Sequence, residues 1–144
     1  MFPQNVAILS DHFSQLMNGH YPNFAKAGIK KYVIDPDLVA FAKGKKLVRG
    51  QSWKNYRALY VPINVNCSHW VCLVVDLVQC WMTVFDCDIG LNTDVKLGTS
   101  IRPFANLIPI ILKATKEFDH LGVALTKKWT WSKPRNRCTQ SAVR

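Results

Sequence analysis

The chain has 144 residues, 49% of them hydrophobic and 19% charged, which suffices for one globular domain with a real core, is too little for two, and argues against wholesale disorder. No apolar stretch reaches about 18 residues without a charge, which excludes a membrane-spanning helix, and MFPQNVAILSDHF lacks the basic-then-apolar order of a signal peptide. Lys plus Arg number 19 against 9 Asp plus Glu, a formal net charge of +10.

That charge is uneven. From Ala58 to Val95 there is no Lys or Arg, while Asp76, Asp86, Asp88 and Asp94 all lie there. The basic residues flank this block, as in Lys26, Lys30, Lys31 and Lys43, Lys45, Lys46, Arg49. Such clusters suit phosphate neutralisation, so a nucleic-acid partner is one reading. A basic surface around a neutral core is the plainer one, because no nucleic-acid-binding motif occurs. The five cysteines, Cys67, Cys72, Cys80, Cys87 and Cys138, are odd in number and form no CxxC. That pattern favours reduced thiols in the nucleus or cytoplasm over a secreted disulfide framework, and offers no paired zinc ligands.

In chain order, Val6, Leu9, Phe13, Leu16 and Met17 recur at helical spacing and predict a helix over Phe2 to Gly19. Asn18 to Asn23, with Gly19 and Pro22, reads as a loop. Asp35-Pro36-Asp37 is a helix start, leading to a short helix that ends near Gly44. Lys43 to Arg49 is an exposed connector. Ala58 to Val65 alternates as a strand, with Pro62 pointing to an edge or strand end. His69 to Asp76 is a nearly continuous apolar run, as a strand covered on both faces would be. Cys80 to Asp86 is a third strand, close enough to the second for a hairpin. A loop from Cys87 to Ser100 precedes a helix from Ile101 to Phe118, with Pro103 in its first turn and a kink at Pro109. Thr126 to Ser132 is a last strand, and 133–144 a loose polar tail. Without repeats or linkers, 1–144 reads as one domain.

The chemistry concentrates on the hairpin. If Leu77-Val78 are its central turn residues, His69 stands directly opposite Asp86, on the same face and with Cβ atoms about 5 Å apart. A carboxylate there fixes the imidazole tautomer and favours its charged form. The pair is two thirds of a nucleophilic triad; taken alone, a His–Asp pair across a hairpin is more often structural.

Val61-Pro62-Ile63-Asn64, then Ser68-His69-Trp70-Val71, then Val84-Phe85-Asp86-Cys87 resemble the core of the ubiquitin-like-protein-specific cysteine proteases. These are the SUMO-processing enzymes and their plant, transposon-associated relatives. The three pieces occur in family order at family-like spacing, and the resemblance extends over roughly Val6 to Trp131. It implies an α+β fold, a papain-like core with a central antiparallel sheet flanked by helices. It also implies His69 as general base, Asp86 as its orienter, and Trp70 lining the channel for the extended C-terminus of a ubiquitin-like partner. No cofactor, metal or membrane is implied. Asn64 has no expected catalytic role.

The family's nucleophile sits in a Gly-Asp-Cys-Gly segment that opens a helix, preceded by a Gln or Asn. There the helix N-terminus favours the thiolate. Here Cys138 is the cysteine nearest that place, with no flanking Gly, Asn136 close before it, and six residues after. Six residues do not make a stable helix. Two accounts fit: Cys138 is a degenerate nucleophile beside His69 and Asp86, or the chain departs from the family pattern just before the motif, as a truncated or altered gene product would, with the C-terminal helix missing and stability marginal; the second is the expectation. Cys67 is too near His69 in sequence, Cys87 follows Asp86 and points to the other face, and Cys72 and Cys80 read as structural. The expected function is a cysteine peptidase or isopeptidase cleaving after the C-terminal Gly of a ubiquitin-like modifier. The alternatives are an inactive relative that still binds such a modifier, and a basic nucleic-acid-binding module.

Overall fold

The computed structural model describes residues 5–45, 51–65, 69–86 and 94–134. Five strands form one sheet in the order β1 (Val6–Ile8), β2 (Ala58–Val65), β3 (His69–Asp76), β4 (Trp81–Phe85), β5 (Trp131–Ser132). The central three are antiparallel as expected, whereas β1 runs parallel to β2 and β5 parallel to β4, so the sheet is mixed. Three helices, α1 (Asp11–Ala27), α2 (Pro36–Ala42) and α3 (Asp94–Thr115), touch one another and so pack on one face of the sheet.

The predicted Phe2–Gly19 helix is in fact a strand followed by a helix. Val6 to Ile8 pair with Ala58 to Tyr60, and α1 begins at Asp11. The predicted loop at Asn18 to Asn23 lies inside α1, Pro22 included. The helix continues because Phe24 is buried and packs on Tyr21 and Tyr32. Tertiary burial thereby outweighs the roughly 3 kcal/mol that an interior Pro costs. The α2 start is as read: Asp35 caps it by accepting the Asp37 N–H, with Pro36 at the first position.

α3 starts at Asp94, inside the predicted Cys87–Ser100 loop, because Leu97 and Ile101 carry its buried stripe backward. It ends at Thr115, short of Phe118. Pro103 is therefore interior rather than in the first turn, and Pro109 has a structural use. A proline at 109 cannot bond the Ala105 carbonyl, and that carbonyl accepts the Trp129 N–H at 3.0 Å. The proline thus lends α3 a handle on the segment leading into β5. The predicted Thr126–Ser132 strand reduces to Trp131–Ser132, since Asp119–Thr126 is 3₁₀-helical.

The core lies between the helices and the buried face of the sheet, centred on Phe13, Trp53, Leu59, Leu73, Met82, Phe104 and Leu107. Pro62 fits its expected edge character on one side, because the β1 ladder stops at Tyr60. Its carbonyl accepts the Ser14 hydroxyl of α1 at 2.6 Å, which ties α1 to β2. Lys26, Lys30, Lys31, Lys43 and Lys45 are exposed; Lys46 and Arg49 lie outside the described residues.

Gly44, just past α2, has φ +78°, and a Cβ there would stand 2.5 Å from the Gln51 carbonyl carbon and 2.9 Å from the Ser52 nitrogen. Those atoms are backbone and cannot swing aside. Gly44→Ala is expected to cost about 2–5 kcal/mol, from left-handed strain and overpacking together. Gly19→Ala, in a helix with nothing within 4 Å of the new atom, should instead stabilise by about 0.5–1 kcal/mol. Urea melts of the two variants test this, and equal midpoints would contradict the close approach at Gly44.

Candidate active site

The hairpin that carries His69 and Asp86 has a different register from the predicted one. Asp76 pairs with Trp81 across a four-residue turn, Leu77 to Cys80. The Asp76 carboxylate accepts the Val78 and Gln79 N–H groups at 2.9 and 2.8 Å, and Cys80 adopts φ +62°. Asp76 thereby builds the turn with its own side chain. Relative to a two-residue turn the register moves by two positions. A shift of one would send every side chain to the other face, but a shift of two preserves the face.

His69 and Asp86 accordingly become diagonal rather than opposite neighbours, a separation that long side chains bridge. The contact closes at 2.5 Å between His69 Nε2 and Asp86 Oδ1. A carboxylate only accepts, so Nε2 carries the hydrogen and donates it, and Nδ1 is left as the basic nitrogen. The side chains are 13% and 6% exposed, so the bond is sheltered from water on the helix side of the sheet. His69 shares that face with buried Val71 and Leu73, and Asp86 shares it with Met82 and Val84.

Trp70 projects from the opposite face, as strand alternation requires, and is 53% exposed. Asn64 is its cross-strand partner and is exposed. The structure thus brings His69 and Asp86 together and sets Trp70 beside them across the strand. Cys138, Asn136, Cys67 and Cys87 lie outside the described residues.

Cys72 and Cys80 are free thiols, and their surroundings disfavour the thiolate. Burial pushes the Cys72 thiol up, against a hydrogen bond from the Val61 backbone that pulls it down. Burial and then the Asp76 carboxylate raise Cys80. Both also belong to the face away from His69 or to the far turn. At neutral pH, iodoacetamide should therefore label both more slowly than a cysteine in a short peptide, with rates that climb as pH rises. Peptide-level mass spectrometry measures this, and faster-than-peptide labelling of either would return it to candidacy as nucleophile.

Sequence reasoning assigns no role to Asp94 or Lys133. They form an ion pair at 2.8 Å that ties the residue after β5 to the first turn of α3. Their separation of 39 positions carries no sequence signal. A cleft of about 480 Å³ opens beside them, lined by Gly98, Arg102, Trp129 and Trp131 among others; the dyad does not line it. Among the described residues no cluster of His, Cys, Asp and Glu is arranged to hold a metal ion.

The model for the Ulp1 protease family, C-terminal catalytic domain, matches residues 2–141 of the chain. No curated protein matches it significantly. Among solved structures it is similar to the C-terminal Ulp1 protease domain in complex with Smt3, the yeast ortholog of SUMO. That match has 15% identity and a TM-score of 0.53, over 91% of this chain and 47% of that one. The SUMO protease Ulp1 with its catalytic cysteine oxidized to a sulfenic acid matches at 17% identity and a TM-score of 0.42, over 92% of this chain and 51% of that one. The chain therefore spans about half the length of these structures. The first likeness carries the fold, α+β with the sheet and helices described above.

Proposed function

Because the chain belongs to the Ulp1 protease family, a family of cysteine proteases, in its C-terminal catalytic domain, we propose that it is a peptidase or isopeptidase acting after the C-terminal Gly of a ubiquitin-like modifier of the SUMO type. The observation that carries this reading is the sheltered His69–Asp86 bond. Asp86 holds the Nε2–H tautomer, and Nδ1 of His69 takes the proton of a thiol, here assigned to Cys138. The thiolate attacks the carbonyl after the Gly, an acyl-enzyme forms as the amine leaves with a proton from His69, and water releases the acyl group. Trp70 supplies an exposed indole at the end of β3, where an extended Gly-rich tail can lie against it.

The free thiols of Cys72 and Cys80 support a reducing compartment, nucleus or cytoplasm. A second reading, an inactive relative that binds the modifier, draws on the absence of the Gly-Asp-Cys-Gly pattern around Cys138. A nucleic-acid-binding role has the +10 charge alone in its favour, and would show as retention on DNA or RNA that collapses steeply with salt.

A ubiquitin-like protein ending in a C-terminal electrophile tests the first reading. The expected result is a covalent adduct with the unmodified chain and none with Cys138→Ala. An adduct that survives that substitution moves the nucleophile elsewhere. No adduct from a chain shown to be folded leaves the binding-only reading, which titration of the modifier then measures directly.

A further inference from the structure

The sheet has two unlike faces. The face against the helices is buried. On the other, the register lines up Ile8, Tyr60 and Val74 in one row across β1, β2 and β3, with Phe85 in the row on one side and Trp81 in the row on the other. Ile8 is 71% exposed, Trp81 48% and Phe85 39%, and among the described residues no helix lies on this face. β3, expected to be covered on both faces from its unbroken apolar run, is buried on one only. Its outward residues are nevertheless as apolar as those of a covered strand.

The charge pattern says what covers them. A chain of +10 repels its own copies, yet Ala58 to Val95, which supplies β2, β3 and β4, holds no Lys or Arg. The acid in these rows, Asp76, is engaged by the turn N–H groups it caps. This face is where two copies meet with least repulsion. The sheet's edges offer little alternative, since β1 has three residues and β5 two, too short to template edge-to-edge pairing. At about 4.8 Å between strands and 3.3 Å per residue, the five strands cover roughly 400 Å² of flat sheet. Two such faces therefore come to about 800 Å² before side-chain relief, the size of a weak, transient interface.

We infer that this face is a self-association surface, on which two copies stack sheet against sheet as a two-fold dimer anchored by Trp81, Phe85 and Ile8. Aligned sheets pack about 10 Å apart with their side chains interdigitated, and aromatic anchors are what such interfaces enrich. In a two-fold contact each anchor counts twice. The His69–Asp86 pair lies on the opposite face; Trp70 shares this one, a row beyond Phe85, and a stack anchored on Trp81, Phe85 and Ile8 leaves it at the rim, so the dimer does not rest on the peptidase reading.

Sedimentation velocity with light scattering, from about 1 to 100 µM, tests the inference over the affinity range of a small interface. The expected mass rises from 16.4 kDa to twice that value and stops. Raising the salt should strengthen the dimer by screening the mutual repulsion. Trp81→Lys and Phe85→Lys, both at exposed positions and checked for folding by circular dichroism, should each weaken it by about 30-fold or more. Val123→Lys, at a residue 72% exposed in the 3₁₀ segment, should leave it unchanged. A monomer throughout, a mass that climbs past two copies, a dimer that salt dissolves, or a dimer indifferent to Trp81→Lys would each overturn it.

Discussion

If the chain is the peptidase proposed, Asp86→Asn should leave the fold standing and lower turnover by about 10²–10⁴-fold, with KM little changed. One hydrogen decides the effect. In the structure Nε2 of His69 donates to Asp86 Oδ1 at 2.5 Å, and in the proposed mechanism this leaves Nδ1 for the proton of the thiol. An amide of the same shape can present its NH₂ to Nε2 instead, and the ring then carries its hydrogen on Nδ1, the wrong nitrogen. It also removes the negative charge that offsets the imidazolium formed during attack. Both losses fall on the transition state rather than on binding, which is why kcat and not KM should move. His69→Ala removes the base itself and should cost at least as much. Asp94→Asn is the matched control: it takes one carboxylate from an ion pair whose Asp94 side chain is 76% exposed, worth under about 1 kcal/mol, and should turn over at the normal rate. The assay is release of a fluorophore from the C-terminus of a ubiquitin-like protein. Equal rates for Asp86→Asn and the parent would remove Asp86 from the mechanism.

The central sheet was legible because its signals are local. The alternation of Ala58 to Val65 and the apolar run of His69 to Asp76 delimit β2 and β3 to the residue. β1 was not legible, since Val6 happens to fall in helical phase with Leu9 and Phe13, and its pairing with β2 is a contact across fifty residues. Pro103, a residue type that suits a first turn, masks the start of α3, although Leu97 and Ile101 already stand four apart. The turn offered a signal that composition alone obscures. Leu77-Val78 looks like no hairpin turn, but Asp76 before it is the residue type that caps one with its own carboxylate. The His69–Asp86 pairing expected from a two-residue turn stands with the four-residue turn as well, because the two registers differ by an even number of residues. A site read from strand parity tolerates such a difference; one read from direct opposition does not. The open sheet face is hidden at β3, whose unbroken apolar run reads as a strand covered on both faces although only one is buried.

Phe13→Ala should cost about 4 kcal/mol of stability. Phe13 is wholly buried in α1. Its ring meets Phe41 of α2 at 5.3 Å and Trp53, just before β2, at 5.5 Å, both edge-on, and Phe104 of α3 at 6.3 Å. Truncating a buried Phe costs about 3–5 kcal/mol through lost transfer energy and the cavity left behind. Here three aromatic partners lose a favourable geometry at once, and they sit on three different elements, so no single shift can refill the space. At a urea slope of about 1.5 kcal/mol per molar, the midpoint should fall by about 2–3 M, which for a domain of ordinary stability is most of its margin. Phe13→Leu keeps much of the volume and should lose less than half as much. The damage should also reach the dyad. Ser14 follows Phe13 and its hydroxyl holds the Pro62 carbonyl, β2 carries that strand to Val65, and Val65 pairs with His69. Under mild urea, histidine NMR signals should therefore report a disordered His69 in Phe13→Ala before the strands melt. A loss under about 2 kcal/mol would mean that the four rings are not packed as one unit.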